Sequence, residues 1–337
     1  KYILILNAGS ATLKAALYQS GSTQALHEAT AEKIGTTRAF ISFNGQTKRL
    51  KIQNHSAALK HILGQWEIDH DDITYIGHRV VHGGERFTAP TLVTTKIWQQ
   101  LSKFNSLAPL HNPVNLQVIR NCFSSVPQAK NIVVFDTALY ADLPPGEFLY
   151  AVPYDWYTAH GIRQYGFHGI SHAYVSRQAA CKLKKPLSAL KLITAHLGNG
   201  CSVTAFDRGQ AIATSMGFTP LEGLVMGTRS GSLDPAVPLV MQRQLNKTPA
   251  QMEAILNKQS GLLGMSGFTS DMREILRAAG EQVVEYHGRK QFTKQQKRRA
   301  RIALEVFLRR VQDYINMYAG KMAKVDAIVF TGGIGER

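Results

Sequence analysis

At 337 residues, with 44% hydrophobic and 18% charged side chains, the chain has an ordinary globular composition and the length of two domains. Its longest apolar runs, such as Ile132 to Phe135 and Ala327 to Phe330, are strand-sized, far short of the roughly 20 residues that span a bilayer. Three cysteines (Cys122, Cys181, Cys201) are too few and too scattered for a disulfide framework or a zinc site, and read as free thiols of a reducing cytoplasm.

The opening Lys1-Tyr2-Ile3-Leu4-Ile5-Leu6-Asn7 reads as a first strand and lacks the apolar core and cleavage site of a signal peptide. Strands are expected over residues 2–6 and 13–18, with β character near 24–32, 39–43 and 47–53 and helical spacing over 55–65. Strand signals return at 73–81 and 130–135, with helices near 94–105 and 113–125. Leu143-Pro144-Pro145-Gly146 breaks the pattern and sets expected domains at 1–145 and 146–337. In the second half a strand at 191–196 runs into Gly198-Asn199-Gly200, and strands 201–206 and 210–215 flank a turn at Asp207-Arg208-Gly209. Helices are expected near 235–245, 249–258 and 295–322, then a strand at 325–330.

Two hairpin tips are alike. Asn7-Ala8-Gly9-Ser10-Ala11-Thr12 and Asn199-Gly200-Cys201-Ser202-Val203-Thr204 both carry Asn, a small residue, then Ser and Thr, and they lie 192 residues apart, about half the chain. That spacing suggests internal duplication. The net charge of +16 is concentrated between Arg289 and Arg301, where seven basic residues occur without an acid. The run leads into Ile302, Leu304, Val306, Phe307, Leu308, Val311 and Ile315, the pattern of a helix packed on a core. It therefore reads first as the solvated start of a long helix and the loop before it. Contact with a polyanion, or general attraction of an anionic substrate, are the other readings.

Three glycine-bearing loops come after apolar strands: Asn7-Ala8-Gly9-Ser10, Leu197-Gly198-Asn199-Gly200 and Thr331-Gly332-Gly333-Ile334-Gly335-Glu336. Glycine lets backbone N–H groups converge on phosphate oxygens where a Cβ would obstruct them. None of the three fits the P-loop or dinucleotide fingerprint. A second group places cations or polar donors beside glycine: Gly77-His78-Arg79-Val80-Val81-His82-Gly83-Gly84, Leu110-His111-Asn112-Pro113, Phe135-Asp136-Thr137, Tyr165-Gly166-Phe167-His168-Gly169 and Gly227-Thr228-Arg229-Ser230-Gly231.

Together these segments resemble the acetate kinase and propionate kinase family, within the actin, hexokinase and heat-shock ATPase superfamily. The resemblance runs in unbroken order from Asn7 to Glu336 and is most specific over Met216-Gly217-Phe218-Thr219-Pro220-Leu221-Glu222-Gly223-Leu224-Val225-Met226-Gly227-Thr228-Arg229-Ser230-Gly231. It implies an α/β fold of two duplicated actin-like (ribonuclease H-like) domains around a central cleft. It further implies reversible, in-line transfer of a phosphoryl group from ATP to a short-chain carboxylate, acetate or propionate. A cytoplasmic homodimer using Mg2+ or Mn2+, with ATP and ADP as co-substrates and no nucleic-acid or membrane partner, is the implied setting.

By the same resemblance Arg79, Asp136, His168, Arg229 and His111 are catalytic, with Arg79 and Arg229 clamping carboxylate and phosphoryl group. Asn7, Ser10, Thr12 and Lys14 match the first phosphate loop, and His196, Gly198, Asn199 and Gly200 the second. Asp271 and Arg273 with Gly332 and Gly333 match adenosine contacts. Val81, Leu110, Phe167 and Pro220 match the acyl pocket, and Asn7 and Asp136 the metal site. Chemistry agrees with these roles: a carboxylate is already ionised at pH 7 and needs no strong base, while its repulsion from a polyphosphate calls for fixed guanidinium groups.

The sequence departs from the family pattern in Arg337 after Glu336, Ser232, Leu139-Tyr140 and a basic insertion from about Val283 to Gln296. The family's C-terminal tail, with a further metal carboxylate, is expected to be absent after Arg337. Another phosphotransferase of the superfamily, such as a sugar kinase, or a non-catalytic nucleotide switch are the alternative functions.

Overall fold

The computed structural model describes residues 1–108, 111–283, 286 and 288–337. The chain divides into two units, Lys1–Ala141 and Asp142–Arg337, just ahead of the Pro144-Pro145 break.

The strands of the first unit are β1 (Tyr2–Gly9), β2 (Thr12–Gln19), β3 (Ala25–Glu32), β4 (Phe40–Phe43), β5 (Gln46–Arg49), β6 (Ile73–Val80), β7 (Thr91–Leu92) and β8 (Lys130–Phe135). They form one sheet in the order β5-β4-β3-β2-β1-β6-β8-β7. Successive hairpins make β1 to β5 antiparallel, whereas β6 runs parallel to β1 and β8 parallel to β6. Alternation along β1 and β2 sends Leu4, Leu6, Leu13 and Leu17 into the interior while Ile5 stays exposed. Each leucine so buried contributes about 1.5–3 kcal/mol.

Helix α1 (His55–Gln65) is capped by Asn54, whose side chain accepts from the Ala57 N–H, and buries Ala58, Leu59, Ile62 and Leu63 on one face. After α2 (Thr95–Ser102), helix α3 (Asn112–Ser125) serves two cores. Val118 and Cys122 join the β1–β2 cluster, while Leu116 and Ile119 pack with Val80, Phe87, Val133 and Phe135. The expected strand over 47–53 is shorter than anticipated: β5 ends at Arg49, and Gln46 to Arg49 are all exposed at the sheet's edge.

The second unit has strands β9 (Lys191–Leu197), β10 (Cys201–Asp207), β11 (Gln210–Thr214) and β12 (Ala327–Thr331), in the order β11-β10-β9-β12. The hairpins are antiparallel and β12 joins β9 in parallel. Three antiparallel strands followed by a parallel fourth is also the arrangement of β3-β2-β1-β6, so the duplication suggested by the hairpin tips extends to topology. Arg208 and Gly209 both have positive φ, 51° and 86°, as a tight hairpin turn matching the strands' twist requires.

Helices of this unit are α4 (Pro145–Phe148), α5 (Asp155–His160), α6 (Gly169–Leu183), α7 (Ala236–Gln244), α8 (Pro249–Lys258), α9 (Gly261–Ser266), α10 (Met272–Ala279), α11 (Lys294–Met322) and α12 (Gly332–Gly335). Helices α6 and α11 both pack on β9, α6 also on β12 and α11 also on β10. With helices against it, β10 is buried from Cys201 to Phe206 and reads as a continuous run.

The basic segment has a partly structural answer. Helix α11 opens with a capping box between Thr293 and Gln296, which offsets the poor placement of Lys294, Lys297 and Arg298 at a positive helix end. Arg299 donates to the carbonyls of Met265 and Gly264 at the end of α9, at 2.8 and 2.9 Å, and Arg301 to that of Ala279 at the end of α10, at 3.0 Å. Cations there satisfy carbonyls that a helix end leaves orphaned. The buried stripe of α11 is Ala300, Ala303, Phe307, Val311, Tyr318 and Met322. Ile302 and Leu308, expected in the core, are instead exposed, because the stripe follows the 3.6-residue period from Ala300. Among the described residues no helix is long and apolar enough to cross a membrane.

Among the described residues, His78, His82 and His172 are buried and held neutral. Burial lowers the pKa of His78, hydrogen-bonded to Asn131, and of His82 to about 4, and burial followed by the neighbouring His196 lowers that of His172 to about 3. Unfolded histidines titrate near 6.5, so below that pH the unfolded chain binds more protons than the folded one. Stability is expected to be full above about pH 6.5 and to fall as pH drops towards 4, by up to about 1.4 kcal/mol per pH unit for each histidine. Urea midpoints measured from pH 8 to 4.5 check this, and a flat midpoint between 6.5 and 5 contradicts it.

Candidate active site

In the first unit, the C-terminal ends of three parallel strands carry Asn7, Arg79 and Asp136 to one place. Arg79 Nε donates to Asp136 Oδ1 and Oδ2 at 3.0 and 3.1 Å, and its Nη2 donates to Oδ2. The remaining arm, Nη1, donates to Asn7 Oδ1 at 3.1 Å. Asp136 is 2% exposed, and its charge raises the pKa of Arg79 above the usual value, so the guanidinium stays cationic. A planar fork held by a buried carboxylate on one edge keeps a fixed direction for its other donors.

Two amides at the start of α3 fix the backbone around this fork. Asn112 accepts from the His82 N–H at 3.1 Å and donates to the His82 carbonyl at 3.0 Å. Asn115 donates to the carbonyl of Ala8 at 2.8 Å and accepts from the Val81 N–H at 3.3 Å, tying the end of β1 to the loop after β6. Val81 is buried, and His111 is the N-cap residue of α3. Asn7 and Lys14 face each other across the β1–β2 ladder, with Ser10 exposed at the tip and Thr12 opening β2. Leu110 lies outside the described residues.

In the second unit, His168 stands at the N-cap of α6 with φ of 57°, a left-handed conformation uncommon for a residue with a Cβ. Its Nδ1 lies 2.9 Å from Ser202 Oγ, and its ring is 4.4 Å, centroid to centroid, from that of His196. A Cβ on Gly200 would come 3.2 Å from His168 Nε2 and 3.4 Å from Arg229 Nη1. The glycine therefore leaves an opening faced at once by an imidazole and a guanidinium. Arg229 Nη1 is aimed by donating to the Pro220 carbonyl at 3.1 Å.

The loop itself is pinned. Gly198 N–H donates to the Gly200 carbonyl at 3.1 Å, and the Cys201 thiol, its pKa raised to about 12 by burial, donates to the Gly198 carbonyl. Gly227 N–H donates to the Asn199 carbonyl at 3.2 Å, and a Cβ there would lie 2.3 Å from Asn199 Oδ1. That contact joins the Met216–Gly231 segment to the second glycine loop. Tyr150 hydrogen-bonds Glu222 and accepts from the Phe218 N–H at 2.8 Å, bracing the same segment near Pro220. Phe167, one residue before His168, is buried.

Beside the loop is a cavity of about 920 Å³ whose lining includes Gly198, Asn199, Asp271, Arg273 and Gly333. Gly332 is outside that lining. Asp271 caps α10 and takes the Arg273 side chain as well, and chiefly that hydrogen bond lowers its pKa. Sequence reasoning passed over a hydrogen-bonded chain behind His168, made of Ser202, His172 and Thr194. A signal for it existed: His172 comes one helical turn after His168, and Ser202 sits next to the second loop.

A profile of the acetokinase family matches residues 2–337. The chain belongs to the acetokinase family. It is 44% identical over 345 residues to the acetate kinase of Geobacillus sp. (strain WCH70), covering 99% of this chain and 83% of that protein. It is also 44% identical over 344 residues to that of Bacillus subtilis (strain 168), with the same shares covered. Among solved structures, a propionate kinase from Francisella tularensis superimposes with a TM-score of 0.90 at 40% identity, covering 100% of this chain and 85% of that one. The acetate kinase of Porphyromonas gingivalis gives 0.88 at 36%, covering 100% and 84%.

A methyl group added at Gly200 would meet His168 and Arg229 at once. Gly200→Ala is expected to lower kcat at least about tenfold by pushing His168 and Arg229 apart, with little change in folding stability. Steady-state kinetics beside a urea melt check it, and wild-type kcat in a folded variant contradicts it.

Proposed function

We propose that the protein phosphorylates a short-chain carboxylate with ATP, reversibly, to give an acyl phosphate and ADP. Acetate is the proposed substrate, with propionate as a competitor, since one methylene is worth only about 1–3 kcal/mol of discrimination. The observation that carries this reading is the convergence of His168 Nε2 and Arg229 Nη1 on the opening at Gly200, in a member of this family.

In the proposed reaction a carboxylate oxygen attacks the γ-phosphorus of ATP in line with the bridging oxygen to the β-phosphorus. The new acyl O–P bond forms as the bridging P–O bond breaks, and ADP leaves with the bonding electron pair. Negative charge spreads over the equatorial oxygens, so fixed cations and donors supply most of the acceleration. Arg229 and His168 are assigned to those oxygens. Arg79, held by Asp136 and Asn7, offsets the repulsion between the carboxylate and the phosphates. No side chain has to remove a proton, which separates this reading from a sugar kinase. Loops at Asn7 to Lys14 and His196 to Gly200 are assigned to phosphates, and the cavity at Asp271 and Arg273 to adenosine, with Gly332 and Gly333 beside it. Val81, Leu110, Phe167 and Pro220 are assigned to the acyl group, with His111 in support.

A divalent ion fits this donor set in one mode. Among the described residues there is no group of three or more His, Cys, Asp or Glu able to hold a metal. Magnesium commonly binds through one or two carboxylates, waters and substrate phosphates, however, and Asp136 and Asn7 keep oxygen lone pairs beyond those used by Arg79. Those two residues would hold it, and when bound it would neutralise phosphate charge. A cytoplasmic homodimer without nucleic-acid or membrane partners completes the proposal.

Incubation with magnesium-ATP and acetate or propionate, trapping acyl phosphate with hydroxylamine, is expected to give hydroxamate from both acids. Arg229→Ala is expected to lose about 10²–10³ in kcat while keeping ATP affinity. Arg79→Ala is expected to lose as much and also some stability, because it leaves Asp136 buried without its partner. Intact ATP binding with no hydroxamate from either acid rules the kinase reading out in favour of a nucleotide switch.

A further inference from the structure

The polar chain behind His168 takes no direct part in the proposed phosphoryl transfer, yet its geometry is continuous. Thr194 Oγ1 lies 2.6 Å from His172 Nδ1, His172 Nε2 lies 2.7 Å from Ser202 Oγ, and Ser202 Oγ lies 2.9 Å from His168 Nδ1. Thr194, His172 and Ser202 are all 0% exposed. Each link has one proton and a neutral His172 donates through one nitrogen only, so the chain runs wholly one way or wholly the other, unless Ser202 accepts twice and leaves its own buried proton without a partner.

In the first order the Thr194 hydroxyl donates to His172 Nδ1, His172 Nε2–H donates to Ser202, and the Ser202 hydroxyl donates to His168 Nδ1. His168 then carries its proton on Nε2, the nitrogen that faces the opening at Gly200 beside Arg229 Nη1. In the second order every bond is reversed: His172 Nδ1–H donates to Thr194, Ser202 donates to His172, and His168 Nδ1–H donates to Ser202. Neutral His168 would then present a lone pair to the opening, where it would repel a phosphoryl oxygen.

Thr194 separates the two. Its side chain has no other acceptor among the described residues, so the second order buries a hydroxyl proton without a partner, whereas the first leaves none stranded. Desolvation keeps His172 neutral, its pKa lowered to about 3, so it holds one ring proton and relays a direction without becoming charged.

We infer that Thr194, His172 and Ser202 are positioning residues that lock His168 in the Nε2–H tautomer, so that a neutral imidazole already points a donor at the opening it shares with Arg229. Three residues set the state of a fourth without touching the substrate. The inference deepens the proposed function and rests on it for its kinetic arm, but not for its spectroscopic one.

The test uses 15N-histidine NMR of the whole protein at pH 7.5 without nucleotide, with the His168 signals assigned by their loss in His168→Asn. The expected result is an Nε2–H tautomer in the wild type. Thr194→Val, which keeps the side chain's volume but not its hydroxyl, is expected to turn that signal into a mixture of tautomers. It is also expected to lower kcat about tenfold, with KM for ATP within about twofold. Thr194→Ser restores the hydroxyl and is expected to recover both readouts. Ser202→Ala should act like Thr194→Val, and if it does not fold, the Thr194 pair alone decides. An Nδ1–H His168 in the wild type, or a Thr194→Val protein with wild-type tautomer and kcat, overturns the inference. A wild type that makes no acyl hydroxamate but shows the Nε2–H form removes the kinase reading and leaves the relay standing.

Discussion

Parallel pairing of β6 with β1, of β8 with β6 and of β12 with β9 is the constraint on which the rest of the molecule depends. Strands that run the same way end at the same edge of the sheet, and the loops leaving them are gathered there without further instruction. In the first unit that edge receives Asn7, Arg79 and Asp136. In the second it receives the Gly198-Asn199-Gly200 loop and the Gly332-Gly333 turn. Antiparallel hairpins supply the remaining strands through short local turns. A sheet of hairpins alone would send alternate strand ends to opposite edges and scatter these groups.

Parallel strands must be buried, and burial then sets the terms for every polar group near the edge. Asn112 and Asn115 answer by pairing with backbone of the chain beyond β6 and at the end of β1, so those backbone groups are satisfied where water is excluded. The buried Asp136 carboxylate has the Arg79 fork, and His78 has Asn131. These contacts cost desolvation and contribute modestly to stability; what they give is a single orientation for each side chain. In the second unit the same economy appears in one loop, where the Cys201 thiol, the Gly227 N–H and the Gly198 N–H all serve to hold a shape.

Much of this was legible in the residues. Strands β1, β2, β6, β8, β9, β10 and β12 stand out as short runs of β-branched and apolar residues, and the two similar hairpin tips prefigured a topology that both units share. Arg79, Asp136, Asn7, His168 and Arg229 are implied by the family resemblance, and the structure brings the first three into one hydrogen-bonded cluster and the last two to one opening. What could not be read was register and facing. Period alone did not tell that α11 buries Ala300 and Ala303 and leaves Ile302 and Leu308 outside, since small residues decide where two elements approach. Nor could it show that Arg299 and Arg301, which looked like part of a charged surface, end two other helices. Helices α6, α9 and α10 are not among the expected elements: α9 and α10 are only six and eight residues long, too short for a 3.6-residue period to stand out, and α6 starts with no side-chain cap to mark it. The chain through Thr194, His172 and Ser202 was invisible for a related reason: it joins a helix and two strands, and only the fold makes them neighbours.

The pairing of β12 with β9 also bears on how the protein is made. The contact between Lys191 and Asp326 beside that pairing joins residues 135 apart in sequence, whereas β9, β10 and β11 are linked by turns of two or three residues. Closing a long loop costs entropy that local hairpins do not, and long-range pairings form late for that reason. On a ribosome the hairpins of the second sheet can assemble as soon as they emerge, while its fourth strand does not exist until residue 331 has been added. Until then β9 has an open edge, rich in apolar side chains and able to pair with another nascent chain. The step that covers the edge of β9 is thus the same step that brings the Gly332-Gly333 turn to the glycine-loop edge of this unit.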